Sequence, residues 1–162
     1  MELPKRKGNR LKNYNYSSCG AYFVTICTDK RRKTLCDIVG DGFPVPKEAG
    51  AIADRYIQKI PVRYPTAHVN RYVIMPNHIH LLLSIEARNG TGNPSPTVGN
   101  IVGWYKYQVT KEVNERTGTI GRKVFQRSFH DHVIRGDKDY QRIWNYIAGN
   151  PLRWAEDCFY IE

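Results

Sequence analysis

Hydrophobic periodicity along this chain predicts an α+β domain of order β-α-β-β-α-β with one further helix at its C-terminal end. Three observations carry that reading. Short runs rich in β-branched and aromatic residues alternate with apolar stripes at helical spacing, and the length of 162 residues corresponds to about one domain. A chain of this size buries a core without disulfide or metal staples.

The elements follow in order. AYFVTIC at 21–27 is strand-like and ends at the charged stretch 29–33, which predicts a buried strand and then a loop. Residues 36–46 carry Gly40, Gly42, Pro44 and Pro46 and read as turn-rich chain. Ala49, Ile52, Ala53, Tyr56 and Ile60 recur at helical spacing, predicting a first helix that runs to about Pro61. Runs at 68–75 and 78–85 are strand-like and separated by Pro76 and Asn77, a dipeptide suited to a tight antiparallel hairpin. NGTGNPSP at 89–96 reads as surface loop, so 87–97 is expected to be a mobile loop within one domain. Val98, Ile101, Val102, Tyr105, Val109 and Val113 form the stripe of a second helix, with Lys106 and Lys111 off it. A turn at 118–121 precedes a fourth strand, expected from about Ser128. Asp137 is placed to cap a last helix with the apolar face Tyr140, Ile143, Trp144 and Ile147, and Pro151 limits its extent. This order is the split β-α-β, or ferredoxin-like, antiparallel sheet. Residues 1–162 are expected to form a single domain, with a basic segment 1–20 leading into it.

Charge points to a polyanionic partner. There are 25 Lys and Arg against 15 Asp and Glu, a net charge of +10. The excess clusters at Lys5, Arg6, Lys7, Arg10 and Lys12, and again at Lys30, Arg31, Arg32 and Lys33. No apolar run approaches the roughly 18 residues that cross a bilayer, and no apolar stretch of secretory type follows the basic N-terminus. A cytoplasmic protein with no membrane partner is expected. Cys19, Cys27, Cys36 and Cys158 form no CxxC pair and read as free thiols.

Two histidine pairs and one tyrosine–asparagine pair could carry chemistry. His78 and His80 flank Ile79 on a strand, so both imidazoles project from one face. Two neutral imidazoles can share a divalent cation and leave room for oxygen ligands, water and a phosphate oxygen; paired strand histidines are nevertheless more often polar face residues. His130 and His132 form a second such pair, for which packing or nucleic-acid contact is the default reading. A zinc site built from all four histidines is a further alternative. Tyr146 and Asn150, four apart, stack on a helix at the flank of its apolar stripe. A phenol with a pKa of about 10 is a weak nucleophile unless a cation or base lowers it, yet its aryl phosphate ester is a good leaving group in reverse. Reversible strand transfer suits that chemistry. Tyr105, Tyr107 and Tyr140 could be offered on similar grounds.

Arg10-Leu11 with Tyr14 and Tyr16, YFVTICT at 22–28, YVIMPNHIH at 72–80, Tyr105-Lys106, FHDHVIR at 129–135 and YIAGNPLRW at 146–154 resemble the single-domain HUH (His-hydrophobic-His) tyrosine transposases. They are most similar to the REP-associated branch, over nearly the whole chain. The resemblance implies that His78, His80 and Asn150 hold Mg2+ or Mn2+ and that Tyr146 attacks a DNA phosphate, forming a 5′-phosphotyrosine intermediate and releasing a 3′-hydroxyl. It implies single-stranded DNA with hairpin or palindromic elements as substrate, and nucleoid association when DNA is bound. Members act as monomers or as homodimers that exchange the tyrosine helix, and both remain open. Lys5, Arg6, Arg10, Arg31, Arg32, Lys106, His132 and Arg135 are the candidate DNA contacts. The alternative is a non-catalytic hairpin DNA- or RNA-binding protein derived from such a transposase.

Overall fold

The computed structural model describes residues 20–87 and 95–162. Expectations for the basic leader, including Lys5, Arg6 and Arg10, and for most of the 87–97 loop lie outside the described residues. The chain runs β1 (Gly20–Cys27), β2 (Cys36–Val39), β3 (Phe43–Pro46), α1 (Glu48–Arg63), β4 (Ala67–Ile74), β5 (His78–Ile85), α2 (Val98–Thr117), β6 (His130–Ile134), α3 (Asp137–Gly149) and a 3-10 segment Pro151–Glu156. Four strands form one sheet in the order β4-β5-β1-β6, every neighbour antiparallel. Strand β5 therefore splits the β1-α1-β4 unit, which is the α+β arrangement the periodicity predicts.

The period-two alternation of β1 and β5 divides the molecule into two layers. On one face Tyr22, Val24, Ile26, Ile79, Leu81, Leu83 and Ile85 are buried against Ile52, Ile57 and Ile60 of α1 and the whole predicted stripe of α2. Helix α2 begins with a capping box, in which Thr97 Oγ1 accepts from Asn100 N at 3.1 Å and Asn100 Oδ1 accepts from Thr97 N at 3.2 Å. It ends at Gly118, whose φ of 64° is the left-handed conformation that glycine adopts without a Cβ clash. On the opposite face, register places Phe23 beside Leu82, Thr25 beside His80 and Cys27 beside His78. Only the inner half of that face is apolar. Ile143 and Ile147 of α3 close over Leu82 there, each fully buried side chain contributing roughly 1.5–3 kcal/mol. The other half carries the polar side chains.

Four local features differ from the sequence reading. The stretch 36–46 forms a two-stranded ribbon, Cys36 pairing with Pro46 and Ile38 with Pro44; its prolines are tolerated because each strand has a free edge. Pro61 lies inside α1, which continues to Arg63 because the helix is near its end and Tyr64 N still donates to Ile60 O at 2.8 Å. Strand β6 starts at His130, not Ser128. The N-cap of α3 is Gly136, φ 84°, with Asp137 the first helical residue and no side-chain cap.

No helix among the described residues is long and apolar enough to cross a membrane. Cys27, Cys36 and Cys158 are free thiols.

Candidate metal and tyrosine centre

The site begins at the turn into β5. Met75 N donates to His78 O at 2.9 Å, while Thr28 N donates to Asn77 O at 2.9 Å and Leu35 N to Pro76 O at 3.1 Å, so the turn is held against the chain that leaves β1. His78 and His80 emerge from it buried, with ring centroids 4.5 Å apart. Each ring is oriented through Nδ1. The Nδ1–H of His78 donates to Asn77 Oδ1 at 2.9 Å, and Nδ1 of His80 lies 2.8 Å from the Thr25 hydroxyl. Both Nε2 atoms are buried without a hydrogen-bond partner. Burial holds His78 down to about 4, with Arg31 acting in the same direction while Asp157 and Asn150 oppose it. His80 is held well below the usual imidazole range, first by burial and then by His78. Neutral imidazole is the metal-binding form.

Oxygen donors arrive from the end of α3 and the segment after it. Asn150 is buried at the helix terminus; its Nδ2 donates to Asp157 Oδ2 at 2.8 Å, and its Oδ1 is buried with no partner. The backbone N–H of Phe159 donates to Asp157 Oδ1 at 2.8 Å. Asp157 Oδ2 stands 3.8 Å from His78 Nε2, its side chain 1% exposed. Ligand atoms of His78, His80 and Asp157 all lie within 4.8 Å of one another. Three unpartnered buried polar atoms, His78 Nε2, His80 Nε2 and Asn150 Oδ1, and a buried carboxylate with no Lys or Arg among the described residues paired to it, fit a divalent cation of the kind that takes mixed nitrogen and oxygen ligands.

Tyr146 stands beside this group in the same chain. Its ring centroid is 5.4 Å from that of His80 and 5.9 Å from that of Phe23, and it is 42% exposed, opening into a cavity of about 690 Å³ shared with Arg142, Asn150, Arg153 and Asp157. Burial, followed by the charges of Asp157 and Cys158, raises the phenol to about 12, with a hydrogen bond from Asn150 acting the other way. Unaided, this tyrosine is a protonated and weak nucleophile.

The fold and the arrangement of histidines, carboxylate and tyrosine invite comparison with known proteins. The sequence pattern of the family described as "Transposase IS200 like" matches residues 16–150. The chain belongs to the IS200-like transposase family. An uncharacterised protein of Haemophilus influenzae is 31% identical to this chain over 172 aligned positions, covering 97% of this chain and 94% of that one. A second H. influenzae protein, provisionally assigned as a REP-associated tyrosine transposase, is 27% identical over 150 positions, 88% of this chain and 77% of the other. Among solved structures, a REP-associated tyrosine transposase bound to a REP hairpin superposes with a TM-score of 0.57 at 20% identity, covering 95% of this chain and 74% of that chain. A provisionally assigned transposase of Deinococcus radiodurans R1 superposes with a TM-score of 0.52 at 16% identity, covering 90% and 97%. These structural likenesses bear on the fold.

The fold thus brings together Tyr146, His78, His80 and Asn150, all named from sequence, and adds Asp157, Asn77 and Thr25, which were not. Asp157 lies beyond Pro151, where the 3-10 segment has no amphipathic period to reveal it. Asn77 was visible only as half of a turn. The other tyrosines stand elsewhere: Tyr105 is fully buried with its hydroxyl donating to Ala53 O at 3.1 Å, Tyr107 is exposed on α2, and Tyr140 stacks on Trp144. His130 is paired across β1 with Thr25, one strand removed from His80, and the His132 Nε2–H donates to Asp139 Oδ2 at 2.7 Å. A four-histidine zinc site does not form among the described residues. Of the remaining candidate DNA contacts, Arg31 lies 5.4 Å over the Phe159 ring, Arg32 and Arg135 are exposed, and Lys106 donates to the carbonyls of Gln126 and Arg127.

Proposed function

We propose that this transposase is a metal-dependent endonuclease and strand transferase that cuts and rejoins single-stranded DNA through Tyr146. The observation that carries the proposal is the placement of Tyr146 beside His80, with Asn150 bonded to Asp157 and Asp157 Oδ2 3.8 Å from His78 Nε2, all within one chain. In cleavage, Tyr146 Oη forms a bond to phosphorus and the bond from phosphorus to the 3′-oxygen breaks. The phenolic proton leaves through the open cavity, and the departing 3′-oxygen takes up a proton to become a hydroxyl. The 5′-phosphate stays on the tyrosine, and attack by a 3′-hydroxyl reverses the sequence. Mg2+ or Mn2+ held by His78, His80, Asn150 and Asp157 would polarise the phosphate and favour the phenolate. Asn77 fixes which nitrogen the His78 imidazole presents, the Thr25 hydroxyl orients the His80 ring, and Phe23 of the sheet packs edge-on against the tyrosine.

The DNA is a strand carrying a hairpin or palindromic element. Support comes from the net charge of +10 and from the superposable transposase that was solved with a REP hairpin. Incubation of the protein with a hairpin-bearing oligonucleotide and Mn2+ should yield a covalent protein–DNA adduct that is lost in Tyr146→Phe while binding is kept. An adduct formed by Tyr146→Phe overturns the assignment. Binding by the wild type with the strand left intact would instead support a non-catalytic hairpin-binding protein.

A further inference from the structure

We propose that two loops distant in sequence, 29–33 and 121–127, form a single cationic clamp for the phosphodiester backbone at the metal end of the sheet. The proposal rests on the reading of this chain as a DNA-cleaving transposase and assigns residues to its grip on DNA. Asp29 N donates to Val124 O and Gln126 N to Cys27 O, both at 2.9 Å, and Thr28 forms an isolated antiparallel bridge with Phe125. The second loop therefore runs alongside the chain leaving β1. Lys106 staples it, donating to the carbonyls of both Gln126 and Arg127, and so acts as a positioning residue.

This pairing sets Arg122, Lys123 and Arg127 beside Lys30, Arg31, Arg32 and Lys33, every one exposed. Arg32, Arg122 and Lys123 line one cavity of about 190 Å³, with Lys47 and the acids Asp29 and Glu48 also on its wall. Among the described residues none of the seven is in an ion pair, whereas Lys47, Arg55, Arg116 and Arg142 each hold a carboxylate. Asp29 is the single acid in the two loops. Unpaired like charges in proximity repel, so their concentration at one end of the sheet is the signature of a polyanion site. The turn itself is strained toward that use. Lys30 and Arg31 both have φ of 53°, a left-handed conformation costly for residues with a Cβ, and Thr28 holds it by donating from Oγ1 to Arg32 O at 2.8 Å. One end of the patch reaches the centre, because Arg31 lies over Phe159, whose ring is 4.6 Å from that of His78. A strand lying along the patch would arrive at the histidines with its phosphates already neutralised.

The test uses the full chain carrying Tyr146→Phe, so that binding is read without cleavage. Anisotropy with labelled DNA, over roughly 50 to 200 mM salt, compares it with an added Arg122→Gln/Lys123→Gln/Arg127→Gln set, an added Arg32→Gln/Lys33→Gln set, and a control of Lys59→Gln/Arg63→Gln on α1. Both loop sets should weaken binding about tenfold or more and flatten the log–log salt slope by about 0.7 to 0.9 for each phosphate that is no longer neutralised; the control should change neither. A stem-loop without flanks and a single-stranded flank without the stem show which part of the DNA supplies the phosphates. In the cleaving protein the same sets should raise KM and leave kcat unchanged. Circular dichroism matching the wild type excludes unfolding, and Lys106→Met, which removes one of the supports of the second loop together with one positive charge, should weaken binding as well. Affinity and salt slope unchanged in both loop sets on both DNA forms overturn the clamp, even if the wild type binds and cleaves. A wild type that binds neither form overturns the DNA-cleaving reading itself.

Discussion

Asp157 Oδ2 lies 3.8 Å from His78 Nε2, with both side chains buried. The two come from well-separated parts of the chain, one from the start of β5 and the other from the segment past α3. Their approach makes the candidate metal group a property of the folded chain, and the C-terminal segment a part of it.

Loss of that carboxylate should be felt by the metal first. Asp157→Asn keeps the shape but removes the charge, and its single carbonyl oxygen can accept from Asn150 or from the Phe159 N–H, not from both. We expect Mn2+ affinity, read by calorimetric titration without DNA, to fall about tenfold or more. Unchanged affinity would leave Asn150 Oδ1 as the third ligand and exclude Asp157.

The groups behind the histidines should matter almost as much. Thr25 and Asn77 meet the Nδ1 atoms at 2.8 and 2.9 Å, and such outer partners typically carry a roughly 10- to 100-fold effect on metal affinity. Thr25→Val should show that loss, and Thr25→Ser should restore most of it. Equal affinity in Val and Ser would mean that the hydroxyl orients nothing.

Metal binding should also resist acid. Free imidazole loses its lone pair to a proton below about pH 6.5, whereas His78 is held down to about 4 and His80 is lowered too. Competition by protons on these rings therefore begins only well below pH 6.5, and Mn2+ affinity should be nearly flat from about pH 7.5 to about 5.5. The sign for stability is the same. Lowered pKa values mean that the unfolded chain binds more protons, so stability is full above about pH 6.5 and is lost as pH falls toward 4. Denaturant titration at about pH 7 and pH 5 should show the decline, and His78→Gln should reduce it.

Helix α3 is held at its N-terminus by Asp139, which accepts from His132 at 2.7 Å, from Arg142 at 2.6 Å and from the backbone N–H of Arg135 at 3.3 Å. These hydrogen bonds, Arg142 foremost and His132 next, hold the Asp139 carboxyl down to about 2. Asp139→Ala should speed amide exchange over the first turn of α3. Protection that does not change would show that the apolar contacts position the helix alone.

Those contacts are few, so each counts. Ile147 is 1% exposed and packs with Ile143 on Leu82. Ile147→Ala should cost about 2–5 kcal/mol in urea unfolding, the usual range for a buried Ile or Leu truncation.

The periodicities were enough to locate every strand of the main sheet, all three helices and the full apolar stripe of α2, because alternation and helical spacing are set by neighbours in the chain. The β2–β3 ribbon escaped because Pro44 and Pro46 mark turns more strongly than they mark a two-stranded edge. Sequence also placed His78 with His80 on one strand face and Tyr146 with Asn150 on one helix face, since both are local relations within a single element.

What joined those pairs was tertiary. The register of β1 against β5 sets Thr25 behind His80, and the path after Pro151 returns Asp157 to His78. The bridge of Thr28 to Phe125 puts a second basic run beside the first. None of these meetings has a local spacing to betray it. They depend on crossovers and on a 3-10 segment whose conformation is decided by what it packs against, and so the sequence alone determined the elements and the chemical types at hand, while the fold decided which of them share a site.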